Sequence, residues 1–211
     1  MIVSDTATGY VRSLVDEPEP LADMRKHAVR DQVPVVVQET GALLHVLALA
    51  CAANRIIEVG TAIGVSTLQL ARALPPGGKL VSFDIDEARQ RAARDYLGRA
   101  GLLDRVDLRL ENACDGLATV EGLFDMAFID GPRSHYDDYF DALMPVLRPG
   151  AVVTVDNVLM AGTVSDGRSD GKWSDELIAQ MRAFNRRLVT HEQFAGTVTT
   201  VGDGVLVAVK R

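Results

Sequence analysis

Acidic and amide side chains follow four short apolar runs along this chain. They are Glu58 in RIIEV, Asp84 after LVSF, Asp130 after MAFI, and Asp156 with Asn157 after VVTV. One acid at a strand end is common, but the carboxyl ends of neighbouring parallel strands share one edge of a sheet. Four acidic ends at that edge are hard to explain as a solvated surface. Oxygens gathered in this way suit a bound cation and the hydroxyl groups of a ribose.

A glycine-containing turn follows the first of these runs. Residues 55–74, RIIEVGTAIGVSTLQLARAL, have the order strand, turn, helix, and Gly60 and Gly64 lack the Cβ atom that would keep a ligand from the backbone. The turn is not the G-x-G-x-x-G of dinucleotide binders, and no Lys-Ser/Thr pair follows, which excludes a P-loop. A ligand with a ribose but no pyrophosphate fits, and S-adenosylmethionine (SAM) is the candidate. Asp84 would bind its ribose hydroxyls, and Glu58 would suit its sulfonium charge.

Asp130, Asp156 and Asn157 form a second group of candidate ligands. Two carboxylates and an amide oxygen are hard ligands suited to Mg²⁺, with waters or substrate oxygens completing an octahedron. Zinc would prefer His or Cys, and none is spaced for it. Cys51 and Cys114 cannot form a disulfide framework or a zinc site alone, so we interpret them as small core residues in a reducing cytosol. The alternative is that the two acids only cap the segments that follow them.

Strand-like and helix-like segments alternate along the chain and must position these residues. Runs rich in Val, Ile, Leu and Phe predict strands buried on both faces, at 55–59, 79–83, 106–110, 126–129 and 152–155. Apolar periodicity and turn residues predict helices at 21–32, 36–52, 66–74, 87–100 and 135–147. This order favours a doubly wound α/β sheet, mostly parallel, with helices on both faces.

Turn and cap residues mark where these elements begin and end. Asp86 is the expected N-cap of the helix at 87–100, and Gly101 is its expected C-cap. The RPG sequence at 148–150 predicts a turn before the fifth strand. Two β runs joined by Gly202-Asp203-Gly204 predict an antiparallel C-terminal hairpin at the edge of the sheet.

The length of 211 residues suits one domain. We expect residues 1–52 to form its N-terminal helical segment and residues 161–175 to form a polar, glycine-rich loop beside the substrate. Hydrophobic residues make up 47% and charged residues 24%, which is typical of globular proteins. No apolar run reaches the roughly 18 residues that span a bilayer, and the N-terminus lacks the apolar core of a secretory signal. We therefore predict a cytoplasmic protein without a membrane partner.

The formal net charge of −7 argues against binding to nucleic acid by bulk electrostatics. A local basic group, Arg25, Lys26 and Arg30, lies on one predicted helix and leaves RNA binding open. A solvated helix surface is the simpler interpretation of this group.

Five segments resemble the class I metal-dependent O-methyltransferases, the group of catechol and caffeoyl-CoA O-methyltransferases. They are EVGTAIGVS, VSFDID, FDMAFIDGPRSHY, LRPGAVVTVDNVL and VGDG, in the order of the family. QVPV and GTAIG look most like its bacterial branch, which includes tRNA 5-hydroxyuridine O-methyltransferases. The resemblance implies a Rossmann-like methyltransferase sheet and assigns the metal to Asp130, Asp156 and Asn157. To SAM it assigns Val33, Glu58, Gly60, Thr61, Gly64, Ser66, Asp84, Ile85, Ala113 and Asp130.

One position departs from the family pattern. Members usually carry Lys three residues after the first metal Asp, where it can accept the substrate proton, and this chain has Arg133. Arginine stays protonated, so it can orient or neutralise an oxyanion but cannot be the base. His135 is a candidate base, although such a residue is more often on a helix surface. Alternatively, the metal acidifies the hydroxyl enough for water to take the proton. The candidate catalytic residues are thus Asp130, Arg133 and His135.

The leading interpretation is a metal-assisted O-methyltransferase acting on one hydroxyl of a vicinal dihydroxy, catechol-like small molecule. A 5-hydroxyuridine in tRNA also presents two adjacent oxygens and is the alternative. A protein that binds SAM without catalysis is a third reading, because the usual Lys is missing, although the intact metal set argues against it. The incomplete glycine fingerprint disfavours a Rossmann dehydrogenase. Trp173 either stacks on an aromatic substrate or anchors its loop, and the resemblance leads us to expect a homodimer through the N-terminal helices.

Overall fold

The computed structural model describes residues 5–15 and 17–211. Its strands are β1 (Arg55–Val59), β2 (Lys79–Asp84), β3 (Val106–Leu110), β4 (Phe124–Ile129), β5 (Leu147–Val155), β6 (Phe194–Thr199) and β7 (Val205–Lys210). They form a seven-stranded sheet in the order β3-β2-β1-β4-β5-β7-β6. Strands β1 to β5 pair in parallel, whereas β7 pairs antiparallel with both β5 and β6. The predicted sheet and its antiparallel C-terminal hairpin are confirmed.

Strand β5 begins earlier than the sequence predicts. The RPG sequence at 148–150 does not form a turn before the strand but lies inside it. The register explains the difference, because Phe124 pairs with Leu147 and Met126 with Val152, so that residues 148–151 stand opposite Asp125 alone. Extra residues in one strand of a pair form a bulge, and the positive φ of Gly150 accommodates it.

Helices cover both faces of the sheet. They are α1 (Asp5–Ser13), α2 (Leu21–Arg30), α3 (Gln38–Ala50), α4 (Val65–Ala73), α5 (Glu87–Arg99), α6 (Ala113–Gly116), α7 (Tyr136–Leu143), α8 (Thr163–Asp166) and α9 (Asp175–Val189). One buried apolar cluster joins the sheet to α2–α5, and a second joins it to α6, α7 and α9. The doubly wound arrangement therefore rests on two separate cores.

Most helix boundaries lie within two residues of those predicted. The helix expected at 135–147 is shorter, because α7 ends at Leu143 and a 3₁₀ turn containing Pro145 follows, where proline lacks the N–H of a continuing helix. Asp86 caps α5 by accepting from Arg89 N, and Gly101 follows its end with a positive φ. Helix α9, which was not predicted from the sequence, begins at Asp175 after its N-cap Ser174, whose hydroxyl accepts from Leu177 N.

The N-terminal segment contains helices, and the polar loop has more structure than its composition suggests. The segment predicted over 1–52 contains α1 to α3, while residues 1–4 and 16 lie outside the described part of the chain. The loop predicted over 161–175 contains the short helix α8. In the described ranges no helix combines the length and the apolar character that crossing a bilayer requires.

Candidate active site

The turn after β1 is shaped by contacts within the protein. Gly60 has a φ of +98°, and a Cβ atom there would lie 2.2 Å from the carbonyl oxygen of Asp130. Gly64 has a φ of +90°, and its Cβ would lie 3.0 Å from that of Ala93. Both positions thus require glycine for the packing of the chain itself, in addition to any approach of a ligand. The backbone N–H groups of Gly60 and Thr61 donate to the carbonyl of Phe83, which fixes the turn beside the end of β2.

Asp84 ties this turn to the start of the next helix. Its Oδ2 accepts a hydrogen bond from Ala62 N at 2.7 Å, and its Oδ1 accepts one from Asp86 N at 2.9 Å. A carboxylate has about four lone-pair sites, so both oxygens can still accept from a ligand. Asp84 is therefore held in place while remaining available to two hydroxyl groups.

Glu58 lies behind the turn and is fully buried. Its Oε2 accepts hydrogen bonds from Thr67 Oγ1 at 2.5 Å and from Ser82 Oγ at 2.6 Å, whereas Oε1 has no partner among the described residues. Burial raises the pKa of Glu58 to about 7, against the effect of the neighbouring hydroxyls of Ser66, Ser82 and Thr67. The side chain thus supports the turn from inside the fold, and a half-protonated carboxyl gives little charge to a cation at neutral pH.

A cavity of about 660 Å³ lies at the carboxyl ends of the strands. Nine residues predicted from the sequence line it, namely Gly60, Asp84, Ile85, Ala113, Asp130, Arg133, His135, Asp156 and Asn157. Five others assigned to the cofactor are described but do not line it, namely Val33, Glu58, Thr61, Gly64 and Ser66. The cavity therefore joins both predicted groups, while several residues of the turn act from behind its wall.

Further lining residues were not anticipated from the sequence. Asn112 precedes α6 and caps it, since its Oδ1 accepts from Cys114 N at 3.0 Å. Pro34 and Glu111 also line the cavity. Only Asn112 has a sequence signal, because Asn is a favoured N-cap and stands directly before Ala113.

Asp130 and Asp156 directly follow the neighbouring strands β4 and β5, and both line the cavity. Backbone hydrogen bonds place them, because Asp130 N donates to Val59 O at 2.8 Å and Asp156 N donates to Ile129 O at 3.0 Å. The hairpin between β6 and β7 supports the segment after Asp156 through a hydrogen bond from Val158 N to Gly204 O at 3.1 Å.

The electrostatics of this pair favour a cation. Burial raises the pKa of Asp130 to about 6, and burial together with the charge of Asp130 raises the pKa of Asp156 to about 7. Asp156 is 3% exposed, and its Oδ1 has no hydrogen-bond partner in the described part of the chain. Asn157 follows with a φ of +58°. Two desolvated carboxylates that repel each other, one with an unpaired oxygen, beside an amide group, are a donor set that fits Mg²⁺.

Arg133 is a cation whose charge acts on both of these carboxylates. Its guanidinium carbon lies 4.7 Å from the ring centroid of Trp173, and its Nε is buried without a partner among the described residues. The charge of Arg133 acts against the raised pKa values of Asp130 and Asp156. No acid within the described ranges forms an ion pair with Arg133, so a permanent positive charge borders the cavity.

His135 follows on the same wall and is exposed. Its Nδ1 lies 3.1 Å from Asp138 Oδ2, which fixes the orientation of the imidazole ring. Tyr139 also lines the cavity, whereas Tyr136 and Met160 are buried in the core. Since Trp173 packs against that core and does not line the cavity, it anchors its loop beneath Arg133.

The sequence matches the profile of the O-methyltransferase family over residues 12–211. A catechol O-methyltransferase of Niastella koreensis is 35% identical over 162 residues, which are 75% of this chain and 72% of that protein. Among solved structures, the O-methyltransferase TomG of Streptomyces achromogenes, in complex with SAM, is 33% identical with a TM-score of 0.86, covering 97% of this chain and 96% of that one. An O-methyltransferase of Bacillus cereus, in complex with SAH, is 29% identical with a TM-score of 0.86, covering 98% of this chain and 97% of that one. This chain belongs to the O-methyltransferase family.

Proposed function

We propose that the protein transfers a methyl group from SAM to one hydroxyl of a vicinal dihydroxy small molecule, with the help of a divalent metal ion. One observation carries the proposal. A single cavity is lined by the glycine turn with Asp84 and by two carboxylates, Asp130 and Asp156, of which the buried Asp156 has an unpaired oxygen. The solved relatives that hold SAM and SAH support the identity of the donor.

The donor half of the site suits an adenosine group. Asp84 offers two carboxylate oxygens to the ribose hydroxyls, as described above. Ile85 is 74% exposed and borders the cavity, so its side chain offers an apolar surface to the purine ring. Ala113 borders the same end, and its small side chain leaves room for the ring.

The acceptor half suits two adjacent oxygens. Asp130, Asp156 and Asn157 would hold Mg²⁺, which when bound lowers the pKa of a hydroxyl group. Arg133 neutralises the resulting oxyanion with the charge of its guanidinium group. His135 is placed to accept the proton, with its ring held by Asp138. Fixing both reactants in attack geometry can supply roughly 7–11 kcal/mol of the barrier.

The basic residues of α2 favour a small acceptor over tRNA. Arg25 binds Glu17 at 2.7 Å, Lys26 lies 3.3 Å from Asp23, and Arg30 lies 2.7 Å from Asp31. Each cation thus has an acidic partner, and a phosphate backbone would have to compete with it. Together with the net charge of −7, this pairing leaves no uncompensated basic surface on α2.

The proposal is tested with SAM labelled at the methyl group. The protein is incubated with Mg²⁺ and either catechol, phenol or unmethylated tRNA that carries 5-hydroxyuridine, with and without EDTA. We expect label in catechol only, and none after EDTA treatment. Transfer to phenol at the same rate, or full activity in EDTA, contradicts metal-assisted recognition of two oxygens. Transfer to tRNA alone contradicts the small-molecule acceptor, and binding of SAM without transfer to any acceptor contradicts catalysis.

We also propose a homodimer. Helices α1 and α3, together with Leu14 just after α1, expose large apolar side chains, which are Tyr10, Val11, Leu14, Val46 and Leu49. Sedimentation equilibrium of the wild type and of a Val46→Glu, Leu49→Glu variant tests this arrangement. A monomeric wild type contradicts it, as does a variant that remains dimeric.

A further inference from the structure

Three side chains outside the predicted metal group lie close together, and one of them, His135, lines the cavity. Cys114 on α6, His135 before α7 and Asp138 on α7 each offer one ligand atom, and these atoms all lie within 4.8 Å of one another. The Nδ1 of His135 and the Oδ2 of Asp138 are 3.1 Å apart. In a tetrahedral zinc site the bonds are about 2.0–2.3 Å long, so neighbouring ligand atoms stand roughly 3.3–3.8 Å apart. Small side-chain movements therefore suffice to bring the three atoms around one ion.

The local structure holds these ligands near one another before any ion arrives. The Asn112 cap fixes the start of α6, and Cys114 is the second residue of that helix. Asp138 lies three residues after His135, so both face the same side of the first turn of α7. Tyr139 on α7 interacts electrostatically with the Cys114 thiol. Helices α6 and α7 share one buried apolar cluster, which keeps the three positions together.

The charges at this cluster are also unbalanced. Asp137, the neighbour of Asp138, lies 2.6 Å from Arg187, whereas Asp138 has no Lys or Arg partner in the described ranges. Burial, followed by the charges of Asp138 and Asp115, raises the pKa of the Cys114 thiol. The thiol is therefore a poor nucleophile by itself. A dication would instead compensate the thiolate and the carboxylate together.

We propose that Cys114, His135 and Asp138 form a second metal site that binds a borderline ion such as Zn²⁺ and thereby inhibits methyl transfer. Sulfur and imidazole ligands select Zn²⁺ over Mg²⁺, whereas the oxygen set at Asp130 and Asp156 has the opposite preference. Three protein ligands leave a fourth position for water. On binding, the thiol proton passes to solvent and the His135–Asp138 hydrogen bond is replaced by two metal bonds. Since His135 lines the cavity, the ion removes it from the reaction.

Cobalt provides a readout of this site alone. Co²⁺ bound to a thiolate has a charge-transfer band in the near ultraviolet, and Co²⁺ at the oxygen ligands has none. The intact protein, with reduced thiols and saturating Mg²⁺, is titrated with Co²⁺. We expect the band in the wild type at one equivalent and in Cys51→Ser, which removes the other cysteine. We expect no band in Cys114→Ser. Loss of a residue that only supports a metal ligand lowers metal affinity by roughly 10- to 100-fold. In His135→Asn and Asp138→Asn, which remove direct ligands, the affinity for Co²⁺ should fall by more than that.

The outcomes separate this proposal from the proposed function. A wild type without the band, a Cys114→Ser protein that keeps it, or unchanged affinity in both His135→Asn and Asp138→Asn overturns the second site. The titration needs neither SAM nor an acceptor, so it stands even if no substrate is methylated. Where methylation is measured, micromolar Zn²⁺ should inhibit the wild type and Cys51→Ser but not Cys114→Ser. Equal inhibition of all three overturns the inhibitory role.

Discussion

The guanidinium of Arg133 lies over the indole ring of Trp173, which reaches it from outside the cavity. A cation within about 6 Å of an indole centroid is stabilised by roughly 0.5–2 kcal/mol. Lys172 also lies 4.9 Å from the ring, but only Arg133 lines the cavity. The loop that contains Trp173 thus acts on the acceptor end of the site through one charged side chain.

A double-mutant cycle tests this relationship. Arg133→Gln should lower kcat/KM by about 10²-fold, the typical effect of losing one group that stabilises an oxyanion. Trp173→Ala should lower it less, because the charge remains but loses its support. If Trp173 acts through Arg133, the kcat/KM of the double variant should lie within about twofold of that of Arg133→Gln. Strictly multiplicative effects would show that the two residues act separately.

Gly60→Ala should destabilise the fold more than substitution at another glycine of similar conformation. A Cβ at Gly60 meets the Asp130 carbonyl, whereas Gly77 has a φ of +85° and no atom within 4 Å of its added Cβ. Gly77→Ala therefore measures the cost of the positive φ alone, about 1 kcal/mol. We expect Gly60→Ala to cost at least about 2 kcal/mol more in the free energy of unfolding from urea titration. Equal costs for the two variants would mean that the backbone contact can relax.

Glu58 should make the stability of the protein depend on pH. Its pKa is about 7 in the folded state against an ordinary 4.5, so the folded state binds the proton more tightly than the unfolded chain. The free energy of unfolding due to this group is highest below pH 4.5 and falls as the pH rises towards 7. At 1.36 kcal/mol for each pKa unit, the loss is about 3 kcal/mol.

The Glu58→Gln variant removes this ionisation while keeping an oxygen for Thr67 and Ser82. Its stability relative to the wild type should therefore increase between pH 4.5 and pH 7 and then level off. Denaturant unfolding across this range measures the difference. Parallel curves for the two proteins would show that Glu58 ionises without cost inside the fold.

Asp156→Asn should separate stability from activity. Its raised pKa means that the ionised carboxylate opposes folding at pH 8, so without a divalent ion the variant should melt at a higher temperature than the wild type. Mg²⁺ at 100 times its dissociation constant should stabilise the wild type by about 2.7 kcal/mol and the variant hardly at all. Methyl transfer should fall below detection in the variant. The exposed Asp95→Asn serves as the control, and a wild type that melts at the same temperature with and without Mg²⁺ contradicts the site.

The central parallel strands were predictable because they are short, apolar and buried, as in RIIEV, where β1 matches its predicted ends. Strand β3 also matches its predicted ends, although VDLRL lies at the edge of the sheet and is only partly buried. The start of β5 was not predictable, because the RPG sequence that forms a bulge at Gly150 is also typical of a turn. Helix α9 follows a polar loop and was not recognised, although Ser174 carries the signal of an N-cap.

The residues that line the cavity were predicted more reliably at the ends of strands than in the glycine turn. Asp84, Asp130 and Asp156 line the cavity because the carboxyl ends of parallel strands share one edge of the sheet. Glu58 belongs to the same pattern but precedes the end of β1 by one residue. Because side chains alternate between the two faces of a strand, that of Glu58 points into the core. The meeting of Cys114 with His135 could not be read from spacing, since it depends on how α6 packs against α7.

The contact between Gly60 and the backbone of Asp130 has a consequence for how this enzyme can change. The loop that shapes the donor end and the residue that anchors the acceptor end touch with no side chain between them. If the Gly60 turn or the Asp130 backbone shifts by about an ångström, the other must shift as well, because no flexible side chain lies between them. New acceptors are therefore more readily accommodated by altering the outer wall, at Arg133 or Tyr139, than by remodelling the floor that both reactants share.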